Sequence, residues 1–225
     1  MRRIILCLLA LLMTVTAFAG PGDAYFCCTE GTRLHYERTV ARDGSLRWRH
    51  VMSIERCSAG GDISYNSLFT KPGGGTMYGG PVALKVTVKQ DGDVEMDAAQ
   101  AVAAVFSNIL GTRNVRTSGG LTVLPSDMEP GDTLPDVSGS ATAGPVSMKV
   151  DVTGRKVLRR ETLTTAAGTF DCIVVQEHKV EKGSLRNRVT TAQTWYARGV
   201  GMVRHDTYDK HMELETTEVL VKITE

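Results

Sequence analysis

The clearest pattern in the chain is at Val82, Leu84, Val86 and Val88, which alternate with Ala83, Lys85 and Thr87. A period of two sends the first set to one face of a strand and the second to the other. Looser runs of the same kind cover 32–41, with Leu34, Tyr36 and Val40, then 46–55 around Trp48, then 63–70 and 94–96. Turn residues separate them: Asp43-Gly44-Ser45, Gly60-Gly61-Asp62 and Asp91-Gly92-Asp93. Asp-Gly between two strand-like runs is a strong hairpin signal.

One segment has the helical period instead. Ala99, Val102, Ala103, Phe106, Ile109 and Leu110 share a face, Asp97 is suited to cap the N-terminus and Gly111 to end the helix, which predicts a helix near 97–110. Between 112 and 145 only 121–124 reads as a strand, amid Gly, Ser, Pro and Asp. Strand signals resume at 146–152, turn at Thr153-Gly154, and continue over 157–165, 170–181, 186–196, 202–208 and 212–223. Gly199 and Gly201 suit a bulge that curves the sheet. The fold class is therefore mainly β: a single curved antiparallel sheet or open barrel of about ten strands with one amphipathic helix insertion.

The ends of the chain change this picture. Met1-Arg2-Arg3, an apolar run over 4–13 and Ala17-Phe18-Ala19 form the pattern of a secretory signal peptide, 1–19, cut near Ala19. Residues 20–31 read as a lead-in and 32–225 as one β-rich domain. Tyr25-Phe26 before Cys27 and Ile5-Leu6 before Cys7 do not make a lipobox, so the expectation is an exported protein, periplasmic or extracellular, that is not a lipoprotein. No run in the mature chain approaches the roughly 20 apolar residues of a transmembrane helix. Loss of Arg2 and Arg3 takes the formal net charge from +1 to −1, which does not favour nucleic acid.

Export also bears on the cysteines. Cys27, Cys28, Cys57 and Cys172 follow the leader, an even number in an oxidising compartment, and are disulfide candidates. A hairpin turning at Asp43-Gly44 brings Cys27 or Cys28 near Cys57, whereas Cys172 is either a buried thiol or the partner of the other early cysteine.

Catalytic chemistry finds little support. The glycine clusters at 73–75 and 79–80 lack the lysine and hydroxyl residue of a phosphate-binding loop. Cys172 and His178 lie on one strand about 20 Å apart, too far for a dyad, and no serine sits in a nucleophile elbow. His205 and His211 flank Asp206 and Asp209, a spacing that matches no established zinc pattern and suits a solvated turn. The chain is read as non-enzymatic, with no metal or cofactor.

Three stretches taken together carry a family resemblance: Pro130-Gly131-Asp132-Thr133-Leu134-Pro135-Asp136, Glu161 ahead of Ala167-Gly168-Thr169-Phe170-Asp171-Cys172, and Trp195-Tyr196-Ala197-Arg198-Gly199-Val200-Gly201. With Glu30-Gly31-Thr32 before Tyr36, and the Asp43-Gly44 turn, the chain resembles the TapB-like secreted proteins of Bacteroidota over most of its mature length. The resemblance implies an open barrel similar to the lipoprotein carriers LolA and LolB, and brings no catalytic residue with it. The cysteine pair Cys27-Cys28 departs from that pattern.

Two functional readings follow. In the first, the concave sheet and the helix hold a lipid or other apolar small molecule, lined by Val102, Phe106, Ile109, Trp195 and Met202. In the second, a filled core makes the chain a secreted structural or interaction module for an envelope protein.

Overall fold

The computed structural model describes residues 23–112, 114–184 and 186–225. The expected signal peptide, 1–19, and its expected cleavage near Ala19 lie outside the described residues. Among those described, fourteen strands and one helix run β1 (Arg33–Val40), β2 (Leu46–Cys57), β3 (Asp62–Thr70), β4 (Val82–Val88), β5 (Val94–Asp97), α1 (Ala98–Leu110), β6 (Arg116–Gly119) and β7 (Leu121–Leu124). The second half continues with β8 (Thr133–Leu134), β9 (Val137–Ala143), β10 (Val146–Thr165), β11 (Gly168–Gly183), β12 (Arg188–Ala197), β13 (Gly201–Tyr208) and β14 (Leu214–Thr224).

All form one antiparallel sheet in the order β6-β9-β10-β11-β12-β13-β14-β1-β2-β3-β4-β5-β7, with β8 pairing β10. β6 and β7 follow each other in the chain yet stand at opposite ends of this order, so the sheet curls until its two ends meet. Gly120 lies at that seam. Its N–H donates to Ser138 O at 3.1 Å and its carbonyl accepts from Ala98 N at 3.2 Å. The result is a sheet nearly closed into a barrel, the expected class with more strands than expected.

The helix completes the closure. Asp97 caps it, its carboxylate accepting from Ala99 N at 2.8 Å and Gln100 N at 3.1 Å, and Gly111 ends it in the left-handed conformation at φ 63°. Phe106 is buried against Ala141 and Ala143 of β9. The first turn of α1 rests on glycine: a Cβ at Gly139 would come within 2.8 Å of Ala98 C, and one at Gly119 within 2.9 Å of Ala99 Cβ. The small residues of β9 are thus what lets the helix lie against the sheet.

One expectation is corrected here. Thr153-Gly154 is no turn between strands, because β10 runs on for 20 residues. The register slips between Thr153 and Lys156 instead, and Gly154 at φ 59° occupies the resulting bulge. The lead-in is also structural: Ala24, Tyr25, Phe26 and Cys27 are buried in the core, Gly199 N donates to Ala24 O at 2.8 Å, and the Phe26 and Tyr65 rings lie 5.4 Å apart. Gly201, at φ 92°, supplies the left-handed backbone beside this segment, where a Cβ would make only ordinary contact with Tyr25 O and Phe26 Cα at 3.5 Å.

Candidate functional site

Curling the sheet leaves its inner face incompletely filled. A cavity of about 430 Å³ is lined by Tyr36, Met52, Tyr65, Val94, Val102, Leu124, Val152, Tyr196 and Met202, among others, so strands from both ends of the sheet and α1 contribute. Its size and mainly apolar wall fit a small-molecule site. A larger cleft, about 580 Å³, is lined by charged groups such as Arg56, Lys85 and Glu95 and offers an apolar molecule no comparable wall.

Most polar groups around the cavity have partners, the exceptions being the Tyr25 hydroxyl and Arg155 Nε, which are buried without a hydrogen bond. Arg155, 4% exposed, donates to Pro135 O at 3.1 Å and Val123 O at 3.2 Å, and its Nε stands 3.8 Å from Glu177. Burial holds the Tyr36 and Tyr65 phenols well above their ordinary range, so both stay neutral. The Tyr36 hydroxyl donates to Met202 O at 3.0 Å.

Sheet register builds a polar belt beside this cavity. Trp48 of β2 pairs with Arg38 of β1, Arg38 with Glu218 of β14, Glu218 with His205 of β13, and His205 with Thr194 of β12. Arg38 NH1 donates to Glu218 Oε2 at 3.0 Å, while its Nε donates to Thr216 Oγ1 at 2.9 Å and its NH2 also reaches Thr207. His50 stacks between Tyr36 and Phe69 at 5.1 and 4.1 Å, its Nδ1 3.1 Å from Glu218 Oε1 and its Nε2 3.1 Å from Ser67 Oγ. Burial pushes the Glu218 carboxyl up, but the His50 hydrogen bond and the charges beside it outweigh that and hold it below the usual range. His205 is driven down to about 3 by burial, with Arg38 and Lys179 adding to the effect, so it is neutral.

The expected lining residues separate into three groups. Val102 and Met202 face the cavity. Phe106 and Ile109, with Val102, border an adjoining cleft of about 390 Å³, and Ile109 is 44% exposed. Phe106 turns to β9, a strand whose small residues gave no alternation signal. Trp195 does not line the cavity: its Nε1 donates to Glu161 at 2.5 Å and Arg159 and Arg204 lie over its ring. Neighbours on a strand face opposite ways, and Tyr196 takes the cavity position instead.

The cysteine expectation also changes. Cys27, Cys28, Cys57 and Cys172 are all free thiols. Cys27, Cys28 and Cys57 do gather, closely enough that Cys27 and Cys57 help raise Cys28. Burial is the larger cause there and at Cys172, and both thiols are pushed up to about 11. At neutral pH they lack the thiolate a nucleophile needs. Among the described residues no group of three or more His, Cys, Asp or Glu side chains is placed to hold a metal ion, and no helix is long and apolar enough to cross a membrane.

The DUF3108-like family profile matches residues 29–220, from the first turn of the lead-in to the middle of β14. The chain belongs to the DUF3108-like family. The TapB-like name suggested by its motifs is not the one the match gives. Two solved structures share the DUF3108-like chain's fold. A candidate lipoprotein from Parabacteroides distasonis aligns with TM-score 0.71 at 20% identity, over 89% of this chain and 98% of that one. A candidate exported protein with a YmcC-like fold from Bacteroides fragilis aligns with TM-score 0.69 at 24% identity, also over 89% and 98%. No curated protein matches.

Proposed function

We propose that this DUF3108-like protein is a non-enzymatic, exported cell-envelope protein that binds an apolar or amphipathic molecule between its curved sheet and α1. The observation that carries the reading is the cavity of about 430 Å³ where a filled core would otherwise lie. Two features support the absence of catalysis: the Cys28 and Cys172 thiols are protonated, and His50 and His205 are tied to Glu218, Ser67 and Thr194. Export is supported by the leader pattern and by the descriptions of the two structural neighbours. The expectation of an unanchored chain draws no support from the first of these, a candidate lipoprotein.

The test is native mass spectrometry of the protein purified gently from the envelope fraction, with the denatured mass of the same sample. An added mass that is lost on denaturation supports the reading. A bare protein that also fails to take up an added fatty amphiphile overturns it in favour of an interaction module.

A further inference from the structure

The apolar cavity shares a wall with a second, more polar space. His50 and Met202 line it on one side and on the other line a second chamber of about 400 Å³. The cleft bordered by Phe106 joins both, sharing Val102 with the first and Lys179 and Glu181 with the second. The second chamber is basic. Arg38, Arg47, Lys179, Arg186 and Arg188 enter its lining, against two carboxylates, Glu181 and Glu218.

The pairing leaves positive charge over. Glu218 takes Arg38, and Glu181 is shared by Arg186 at 3.0 Å and Lys179 at 3.9 Å. Arg188 reaches outside this lining to Glu215, and Arg47 lies over the Trp48 ring at 5.3 Å. Burial first, and then the neighbouring guanidiniums, pull Arg38 and Arg188 below the ordinary arginine range. Trp48 Nε1 is a donor sealed from water with no acceptor. A buried donor without a partner beside surplus cations is an incomplete arrangement that an anion would complete. Arg155 at the other side of the cavity also has an Nε without a hydrogen-bond partner, but it is a single cation with Glu177 at 3.8 Å and two carbonyls on its terminal nitrogens, so no positive charge is left over there.

We infer that the ligand is an anionic amphiphile, its apolar part in the cavity between sheet and helix and its carboxylate or phosphate among Arg38, Arg47 and Arg188 near Trp48. This rests on the binding function proposed above and adds the chemistry of the head group. The two chambers lie on either side of His50 and Met202, the cleft bordered by Phe106 is the route by which one molecule would reach from the first to the second, and arginine suits planar or tetrahedral oxyanions through paired donors.

The experiment is calorimetric titration of the mature chain with palmitoyl lysophosphatidate, with monopalmitoylglycerol as the uncharged partner, and with inorganic phosphate. Lysophosphatidate should bind at least about tenfold more tightly than monopalmitoylglycerol, the gain of one charge-assisted contact, with phosphate alone far weaker. Arg47→Glu, at an exposed position, should remove most of that difference. Equal affinity for the two lipids overturns the head-group inference while leaving the binding function standing. Phosphate binding without either lipid overturns both and leaves a free-anion site. Discrimination that persists in Arg47→Glu overturns the assignment of the head group to this chamber.

Discussion

Arg38 and Glu218 stand opposite each other on β1 and β14, joined at 3.0 Å with side chains only 11% and 5% exposed. The pair is the hub of the polar belt, because Glu218 also faces His50 and Arg38 also reaches Thr207 and Thr216. Two charges taken from water are costly, and the surrounding hydrogen bonds are what make the arrangement tolerable.

Removing one partner should therefore cost far more than removing both. Glu218→Leu leaves Arg38 uncompensated and is expected to destabilise the fold by about 3 to 5 kcal/mol, whereas Arg38→Met with Glu218→Leu should recover much of the loss. Urea denaturation of the three proteins measures this. Equal losses in single and double variants would show that the pair does not act as a unit.

His205 should make stability depend on pH. In the fold it is held neutral down to about pH 3 by burial, while in the unfolded chain it takes a proton near pH 6.5. Between these values the unfolded state binds more protons, so the contribution is complete above pH 6.5 and is lost as pH falls, at roughly 1 kcal/mol per pH unit. Of the groups facing it, Arg38 lies below the ordinary arginine range through burial, and Glu218, pushed up by burial, is held below its ordinary range by the His50 hydrogen bond and the charges beside it. Melting temperature between pH 8 and pH 5 should fall less in His205→Asn than in the parent. Parallel curves would exclude His205 as the cause.

How much of this was legible depended on how local the signal was. The helix ends were written in two residues, Asp97 and Gly111, and β4 in its alternating valines. β9 was not legible, because Val-Ser-Gly-Ser-Ala-Thr-Ala buries small residues for the sake of the helix above it rather than large ones. The bulge at Gly154 read as a turn because its left-handed backbone serves either purpose, and only pairing with the 16 residues of β11 decides between them. The belt was the least accessible. Arg38 and Glu218 are 180 positions apart, and nothing in either neighbourhood names the other until the register is known.

Gly139 tests the closure of the barrel. Its backbone is not in the left-handed region, so Gly139→Ala acts through space alone, with the new Cβ 2.8 Å from Ala98 C and 3.0 Å from Ala99 N. The first turn of α1 must shift, at a cost of about 1 to 3 kcal/mol. Hydrogen exchange should quicken in α1 and at the Gly120 seam, with β11 to β13 unchanged. Uniform quickening would mean that the seam is not a separable element.

The cavity itself can be filled from the helix. Ala101 lines both the apolar cavity and the cleft beside it, while Phe106, just over a turn further along, is buried against β9. Ala101→Trp should place its ring in the existing space and abolish uptake of a fatty amphiphile with little change in melting temperature. Phe106→Ala should do the reverse, losing about 3 to 5 kcal/mol of stability as a core truncation while the folded fraction still takes up ligand. The two variants separate occupancy from packing on the same helix, with uptake read by native mass spectrometry and stability by thermal melting. Retained uptake in a folded Ala101→Trp would place the ligand elsewhere, because no molecule of comparable size could share the cavity with that indole.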